Sequence, residues 1–310
     1  MGKFKKTILL ISLTILLSNN VYSISNQTKY KDLIKSSDKI SGEVEFIINT
    51  IKDRYDIPEV SGEVTNMPWR NDKEFLKAKE KYNTPILIAG FCAVLKNPLP
   101  GEEYNVNLAA RKAKGLVIKP SDTFSQNSNI GPYTKSRGFR EGASYIGGNI
   151  IMTEGGGVCK VATTLYNLAA LSNFEIIERH NHSMPINYVP YGQDATVAYG
   201  VKDLRFKNTT EDSILIWTEM IGNRLYMGFY GSEKPPKITW NHEIDKITLP
   251  STKYIKNEKL APGETKTVLN GMNGATVKST ITITYSDGHY AIKNMGTSHY
   301  QPLPQLIETN

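Results

Sequence analysis

Three consecutive glycines at residues 155–157 stand directly before Val158 and Cys159. The apolar pattern of residues 158–171 predicts a helix that begins at this point. Because only glycine adopts positive φ at little cost, the run predicts a tight turn into that helix. A thiol in the first turn, close to free backbone N–H groups and the positive end of the helix dipole, is stabilised as a thiolate. The chain contains 2 cysteines, so a disulfide framework is excluded.

The amino terminus predicts export. Lysines precede an apolar stretch at residues 7–17, and Val21-Tyr22-Ser23 follows as a small-residue cleavage site. The stretch is shorter than the ~20 residues of a membrane-spanning helix. We therefore expect residues 1–23 to be a cleaved signal peptide, with a retained anchor as the alternative. The predicted location is the cell wall or the extracellular face of the membrane.

The net charge narrows the choice of partners. The formal charge of the full chain is +7, and removal of the leader lysines lowers it. A modest and dispersed positive charge suits anionic wall polymers or an anionic membrane surface, and it argues against nucleic acid as a partner.

The distribution of apolar residues predicts an α+β fold. We expect a helical lead-in over residues 24–80, a mixed catalytic domain over residues 81–232 and a small β-rich module over residues 233–310. The helical prediction for the lead-in rests on a stripe from Val44 to Tyr55 at the 3,4 spacing of one helix face. In the last segment, strands flank Asp287-Gly288, which predicts a hairpin without catalytic groups.

Two apolar segments predict strands near the candidate site. Residues 85–95 form a run of strand length that contains Cys92. A buried cysteine without charged neighbours behaves as a small hydrophobe, so Cys92 is predicted to be an inert core residue. Residues 174–182 predict a second strand, in which His180 and His182 share one face. Both histidines are therefore expected to point the same way.

Three kinds of site are compatible with Cys159, His180 and His182. The first is nucleophilic acyl transfer, in which a thiolate attacks a carbonyl and a histidine carries protons. The second is a zinc site, which Asp194, Glu154 or water would complete. The third is a purely structural role. The glycine run, the helix start and the two imidazoles together favour acyl transfer, and we expect no metal and no cofactor.

Acyl transfer assigns a role to each residue. Cys159 is the nucleophile, and His182 or His180 is the base. Asp194 orients the imidazole, with Glu178 as the alternative. The predicted oxyanion and substrate-binding residues lie near these groups in the sequence. They are Gly156, Gly157, Val158, Lys160, Arg179 and Tyr188.

The residues around this site resemble a known family. The matching motifs are Gly-Gly-Gly-Val-Cys at 155–159, Thr-Thr-Leu-Tyr-Asn at 163–167, Glu-Arg-His-Asn-His-Ser at 178–183, Tyr-Val-Pro at 188–190 and Gly-x-Asp-Ala-Thr at 192–196. Together with Asp-Thr-Phe-Ser at 122–125, they resemble the VanW domain. The resemblance runs from about residue 95 to 218. The terminal segment resembles the small β-modules that often follow this domain in wall proteins.

The resemblance implies a cell-wall enzyme. Members of the family look to be peptidoglycan L,D-transpeptidases that form 3-3 cross-links through a cysteine, and the resemblance places that cysteine at Cys159. Peptidoglycan stem peptides are then the expected substrates, with Arg137 and Arg140 among the candidate partners of their carboxylates. This chain departs from the usual pattern in carrying Lys160 in place of Gln and Ala162 in place of Ser. The alternatives are a non-catalytic wall or glycopeptide-resistance accessory protein and a zinc-dependent wall hydrolase.

Overall fold

The computed structural model describes residues 58–146 and 149–310, and these residues are mostly β. Strands hold 40% of them and helices 17%, with 4 α-helices in the described part. The α+β prediction, with its helical lead-in, is therefore wrong, because short strands outnumber the helical stripes on which it rested. The predicted helix of residues 44–55 and the predicted signal peptide lie outside the described residues.

The elements follow one another along the described chain. The helices are α1 (Lys73–Tyr82), α2 (Glu102–Ala113), α3 (Gln126–Asn129) and α4 (Cys159–Leu171), with a 3-10 turn at Lys135–Arg137. The first ten strands are β1 (Gly62–Glu63), β2 (Ile86–Val94), β3 (Val117–Ile118), β4 (Thr123–Ser125), β5 (Glu141–Ile146), β6 (Asn149–Glu154), β7 (Glu175–Glu178), β8 (Arg205–Lys207), β9 (Ile214–Ile221) and β10 (Arg224–Gly231). The remaining strands are β11 (Lys237–Thr248), β12 (Thr252–Lys256), β13 (Thr265–Leu269), β14 (Gly274–Thr284), β15 (Tyr290–Tyr300) and β16 (Gln305–Thr309).

A five-stranded antiparallel sheet in the order β1-β2-β10-β9-β3 lies at the centre of the fold. Within it, Cys92 of β2 lies opposite Tyr226 of β10. Phe91 packs into the large core with α2 and α4, whereas Cys92 and Val94 pack into a second cluster with α1. Burial on both faces explains the continuous apolar run of residues 85–95, because successive side chains of a strand point to opposite faces. The prediction that Cys92 is a core residue is confirmed.

Helix α1 packs against this sheet and is fixed at its start by a cap. Asp72 accepts a hydrogen bond from the backbone N–H of Phe75 at 2.8 Å, as an N-cap residue does. The Phe75 ring is buried, with its centroid 5.3 Å from that of Trp217 and 4.7 Å from that of Tyr230. The indole of Trp69 donates to the Tyr230 hydroxyl at 2.8 Å. The cluster therefore packs through apolar contacts, and the polar groups of Trp69 and Tyr230 hydrogen-bond to each other inside it.

Helix α4 is enclosed by the core. Its first residue is Cys159, which confirms the predicted helix start, and every side chain from Val161 to Leu171 is buried. The helix contacts β2, β7, β10, β11 and α2. It is therefore buried on several sides, and not only along one apolar face. Such packing holds Cys159 on a rigid element. Among the described helices, none combines the length and the apolar character needed to cross a membrane.

The C-terminal module, residues 233–310, consists of two three-stranded sheets, β11-β14-β15 and β12-β16-β13. Strands β14 and β15 pair antiparallel around Asp287-Gly288, where Gly288 has a φ of +89°, so the predicted hairpin is confirmed. Ile238, Ile281 and Ile283 of the first sheet pack into the same core as α4. This sheet is thereby tied to the element that carries Cys159. The predicted domain boundaries after residues 80 and 232 stay predictions.

Replacement of Phe75 by alanine should lower the free energy of unfolding by about 3–5 kcal/mol, because it leaves a cavity among the aromatic rings. Leu76, the next residue of the same helix, is 47% exposed and provides a matched control. Its replacement by alanine should change the free energy of unfolding by less than about 0.5 kcal/mol. Urea denaturation followed by tryptophan fluorescence measures both variants. Equal losses would contradict the assignment of Phe75 to the core.

Candidate active site

Cys159 lies partly buried at the start of α4, among groups that favour its thiolate. Its Sγ lies 3.2 Å from the Thr196 hydroxyl oxygen and accepts a hydrogen bond from the backbone N–H of Val197 at 3.5 Å. His182 faces the thiol as well, and its imidazole helps to lower the pKa of Cys159. The loop that follows Asp194 therefore supports the sulfur from one direction, and an imidazole supports it from another.

His182 lies between the thiol and a carboxylate. Its Nδ1 is 2.7 Å from Oδ2 of Asp194, and its backbone N–H donates to the same oxygen at 2.7 Å. These two bonds fix both the ring and the main chain of His182, and Nε2 is the ring nitrogen left for the thiol. Cys159, His182 and Asp194 thus lie in the order thiol, imidazole and carboxylate, which is the order that acyl-transfer enzymes use for nucleophile, base and orienting group.

The surroundings of Cys159 and His182 shift the pKa values of both side chains. Burial alone would raise the pKa of the Cys159 thiol, but the hydrogen bond and charge of His182, helped by Thr196, hold that pKa below its ordinary value. Burial alone would lower the pKa of His182, but Asp194 and Cys159 raise it to about 9. Both shifts favour transfer of the thiol proton to the imidazole. The two directions together favour a thiolate paired with an imidazolium.

The two histidines do not point the same way, so that prediction is wrong. Strand β7 ends at Glu178, and the residues after it no longer alternate between two faces. His180 turns toward Glu178, with its Nε2 3.0 Å from Oε1, and 39% of its side chain is exposed against 15% for His182. Glu178 also lines a groove of about 520 Å³. The structure places His182 beside the thiol and His180 beside Glu178.

Asp194 is 1% exposed, and its second oxygen is engaged as fully as the first. Oδ1 accepts hydrogen bonds from Nη2 of Arg179 at 2.9 Å and from the Tyr300 hydroxyl. Burial alone would raise the pKa of Asp194, but His182 and Arg179 hold it below its ordinary value. Arg179 also donates to the Asp194 carbonyl at 2.7 Å. Arg179, predicted as a substrate-binding residue, is thus engaged in an ion pair inside the protein.

Lys160, next to the nucleophile, is committed to another acid. Its Nζ forms an ion pair with Glu102 of α2 and lies 4.7 Å from the centroid of the Tyr188 ring. Glu102 also accepts the backbone N–H of Leu99 at 2.9 Å, close to the start of its own helix. Burial lowers the pKa of Lys160 to about 8. The predicted lysine and tyrosine therefore form one cluster that joins α2 to α4, and the Tyr188 hydroxyl lies 3.3 Å from Oγ1 of Thr163 within it.

The N–H groups predicted to bind an oxyanion fall into two sets. Those of Gly156 and Val158 donate to nearby backbone carbonyls at 3.1 and 3.2 Å. Within the described residues, no backbone carbonyl accepts the N–H groups of Gly157 and Cys159. One of these N–H groups belongs to Cys159 itself and the other lies two residues before it, and both remain available to a developing negative charge.

The glycine run is required by the chain itself. A Cβ at Gly156 would lie 2.1 Å from the carbonyl oxygen of Gly142 in β5. Gly157 has a φ of +103°, and its Cβ would lie 2.7 Å from Cγ of Glu102. The amide of Asn105 donates to the Gly156 carbonyl at 2.9 Å and holds the turn in place. Strand β5 and helix α2 therefore approach the backbone of this turn closely.

The residues named for a zinc site are occupied in other ways. Asp194 binds His182 and Arg179, and Glu154 accepts the backbone N–H of Lys135 at 3.0 Å. In the part of the chain that the structure describes, no group of three or more His, Cys, Asp or Glu side chains is arranged to hold a metal ion.

Three residues of the site did not emerge from the sequence. Thr196 lies two positions after Asp194, inside a motif already singled out, so proximity could have identified it. Glu102 is 58 residues from its partner Lys160, and Tyr300 is 106 residues from its partner Asp194. Pairings over such distances leave no signal in local spacing, and only the fold reveals them.

Comparison with known proteins identifies relatives of this region. Residues 101–230 match the family described as VanW like protein. The uncharacterized protein YoaR of Bacillus subtilis (strain 168) is 33% identical over 130 residues, covering 42% of this chain and 43% of the relative. The vancomycin B-type resistance protein VanW of Enterococcus faecalis (strain ATCC 700802 / V583) is 27% identical over 158 residues, covering 49% and 55%. The chain thus spans about half the length of these relatives.

A solved structure also resembles part of the chain. The IgA1 protease G5 domain matches at 21% sequence identity with a TM-score of 0.15, covering 26% of this chain and 96% of that domain.

Cys159 should react with iodoacetamide at pH 7 at least about tenfold faster than Cys92, because the thiolate is the reactive form. Burial raises the pKa of Cys92 to about 12 and keeps it protonated. The rate at Cys159 should reach its plateau below the ordinary thiol pKa and fall as acid protonates the anion. Peptide mapping by mass spectrometry at a series of pH values measures both sites.

The same experiment distinguishes the histidines. Replacement of His182 by alanine should move the midpoint of the Cys159 profile upward, since it removes the cation that stabilises the thiolate. The matched change at His180 should leave the midpoint in place. Identical profiles in the wild type and both variants would contradict the assignment of His182.

Chelation should change neither the fold nor the reactivity of the thiol. A closed structural zinc site contributes folding energy directly, so its removal unfolds a protein that depends on it. Circular dichroism after EDTA treatment, together with metal analysis of the purified chain, measures this. One tightly bound zinc per chain would favour the metal alternative.

Proposed function

We propose that this chain, which matches the VanW family over residues 101–230, is an exported peptidoglycan L,D-transpeptidase that forms 3-3 cross-links. The observation that carries this proposal is the placement of the Cys159 thiol beside His182, whose imidazole is hydrogen-bonded to Asp194. A cysteine acyltransferase needs these three functions in this order. All three residues lie inside the range that matches the family.

In the first half-reaction, the donor is a stem tetrapeptide. The Cys159 thiolate adds to the carbonyl carbon of its third residue, and a carbon–sulfur bond forms. The N–H groups of Gly157 and Cys159 are the candidate donors to the oxyanion, each worth about 3 kcal/mol when well aimed. The bond to the terminal D-Ala then breaks, and the imidazolium of His182 gives its proton to the departing amine. The product is a thioester between the peptide and Cys159.

In the second half-reaction, the acceptor is the side-chain amine of a diaminopimelate on a neighbouring stem. This amine attacks the thioester carbonyl, and its proton passes to the imidazole of His182. The carbon–sulfur bond breaks, which restores the thiolate and the imidazolium. The net change exchanges one amide for another, so the reaction needs no oxidant and no cofactor.

Charge and location also support a wall substrate. Since Lys160 and Arg179 are paired with protein acids, the exposed Arg137 and Arg140 remain the predicted partners for peptide carboxylates. The guanidinium of Arg140 lies 3.7 Å from the centroid of the Tyr104 ring, which holds it in one place at the surface. The predicted signal peptide delivers the chain to the wall. One relative is named as a vancomycin-resistance protein, and that context agrees with a role at the cell wall.

Purified protein incubated with a disaccharide-tetrapeptide should acquire a covalent adduct at Cys159 and release a cross-linked dimer that lacks one D-Ala. Replacement of Cys159 by alanine should abolish both products, because no other described group replaces the thiolate. The matched variant Cys92→Ala should keep activity and lose some stability. Mass spectrometry measures the adduct and the dimer. Undiminished dimer formation by the Cys159 variant would refute the mechanism.

A further inference from the structure

We propose that Tyr300, from the C-terminal module, is a positioning residue of the thiol site and acts through Asp194. The proposal deepens the proposed function, since it assigns to this module a part in the acyl-transfer machinery. Tyr300 lies outside residues 101–230, which are the part of the chain that matches the family.

The Tyr300 hydroxyl bridges two atoms of the segment that carries the orienting carboxylate. It donates to Oδ1 of Asp194 and accepts the backbone N–H of Gly192 at 2.8 Å. The side chain is 5% exposed. A buried hydroxyl that both donates and accepts is fully satisfied in one orientation, so it holds Asp194 at a set distance from the main chain.

A second contact from the same strand supports the other partner of the carboxylate. Ser298 of β15 is 1% exposed, and its hydroxyl oxygen accepts a hydrogen bond from Nη1 of Arg179 at 2.7 Å. Arg179 in turn donates to Oδ1 of Asp194. The end of β15 thus reaches Oδ1 twice, directly through Tyr300 and indirectly through Ser298 and Arg179.

Two further hydrogen bonds join the same two segments. The side-chain amide of Asn181 donates to the carbonyl of His299 at 2.9 Å, and the backbone N–H of Gln301 donates to the carbonyl of Ser183 at 2.8 Å. These bonds place residues 298–301 beside the segment that carries His182. The module therefore contacts both sequence neighbours of His182 as well as the carboxylate of Asp194.

The carboxylate needs this support because its function depends on direction. Oδ2 is bonded to Nδ1 of His182, and the donors of Arg179 and Tyr300 hold Oδ1. Loss of the Tyr300 hydroxyl removes one of those donors and leaves the N–H of Gly192 without its acceptor. The carboxylate can then rotate, the imidazolium loses its alignment, and the thiolate is less stabilised.

The test is the rate of Cys159 alkylation by iodoacetamide as a function of pH, in the full chain. The variant Tyr300→Phe should react about tenfold more slowly at pH 7, and its midpoint should move upward toward the ordinary thiol pKa. The matched control is Tyr191→Phe. Tyr191 packs against Tyr300 with ring centroids 5.2 Å apart and binds the Asn273 carbonyl of the module, so it tests docking alone. Its profile should match the wild type.

A double variant tests the route of the effect. In an Asp194→Asn background, Tyr300→Phe should cause no further change in thiol reactivity, because the effect passes through the carboxylate. Ser298→Ala, which leaves Tyr300 in place, should shift the profile in the same direction by a smaller amount. An unchanged or downward-shifted midpoint in Tyr300→Phe, or equal shifts in Tyr300→Phe and Tyr191→Phe, would overturn the proposal.

This readout is independent of the wall substrate. If the wild type fails to cross-link a tetrapeptide while Tyr300→Phe still raises the thiol midpoint, the proposed function fails and the positioning role stands. If cross-linking occurs but the two profiles coincide, the positioning role fails and the proposed function stands.

Discussion

The burial of one carboxylate governs the arrangement of the site. A charge removed from water must be met by donors on both oxygens, and Asp194 is 1% exposed. His182 supplies two of its donors, while Arg179 and Tyr300 supply the others. These donors come from different parts of the chain, so the fold must converge on Asp194 before the thiol at the start of α4 acquires a base. The carboxylate, rather than the nucleophile, is the point where the segments meet.

Local physics made part of this predictable. The start of α4 at Cys159, the buried strand with Cys92 and the Asp287-Gly288 hairpin each depend on a few neighbouring residues. The fold class was wrong because many short strands pair over long distances and leave only weak local patterns. Likewise, the alternation of residues 174–182 predicts that His180 and His182 share one face, because no local sequence signal indicates that β7 ends at Glu178.

The site itself follows a similar division. Cysteine, histidine and aspartate could be named from their chemistry, and the structure brings Cys159, His182 and Asp194 together. The sequence does not show which of the positively charged side chains already form ion pairs inside the protein. Arg179 and Lys160 look available for a substrate in the sequence, but each has an acidic partner inside the protein. Buried pairs of this kind are decided by tertiary contacts, and they determine which cations a substrate can meet.

The buried ion pair of Lys160 and Glu102 restricts which substitutions these two positions can tolerate. Glu102 binds the Leu99 N–H near the start of α2 and neutralises a lysine in the first turn of α4. Loss of either partner leaves the other buried with an unbalanced charge, which costs far more than the loss of a surface pair. Positions 102 and 160 are therefore expected to change together among close homologues. A substitution at one position should be accompanied by a compensating substitution at the other.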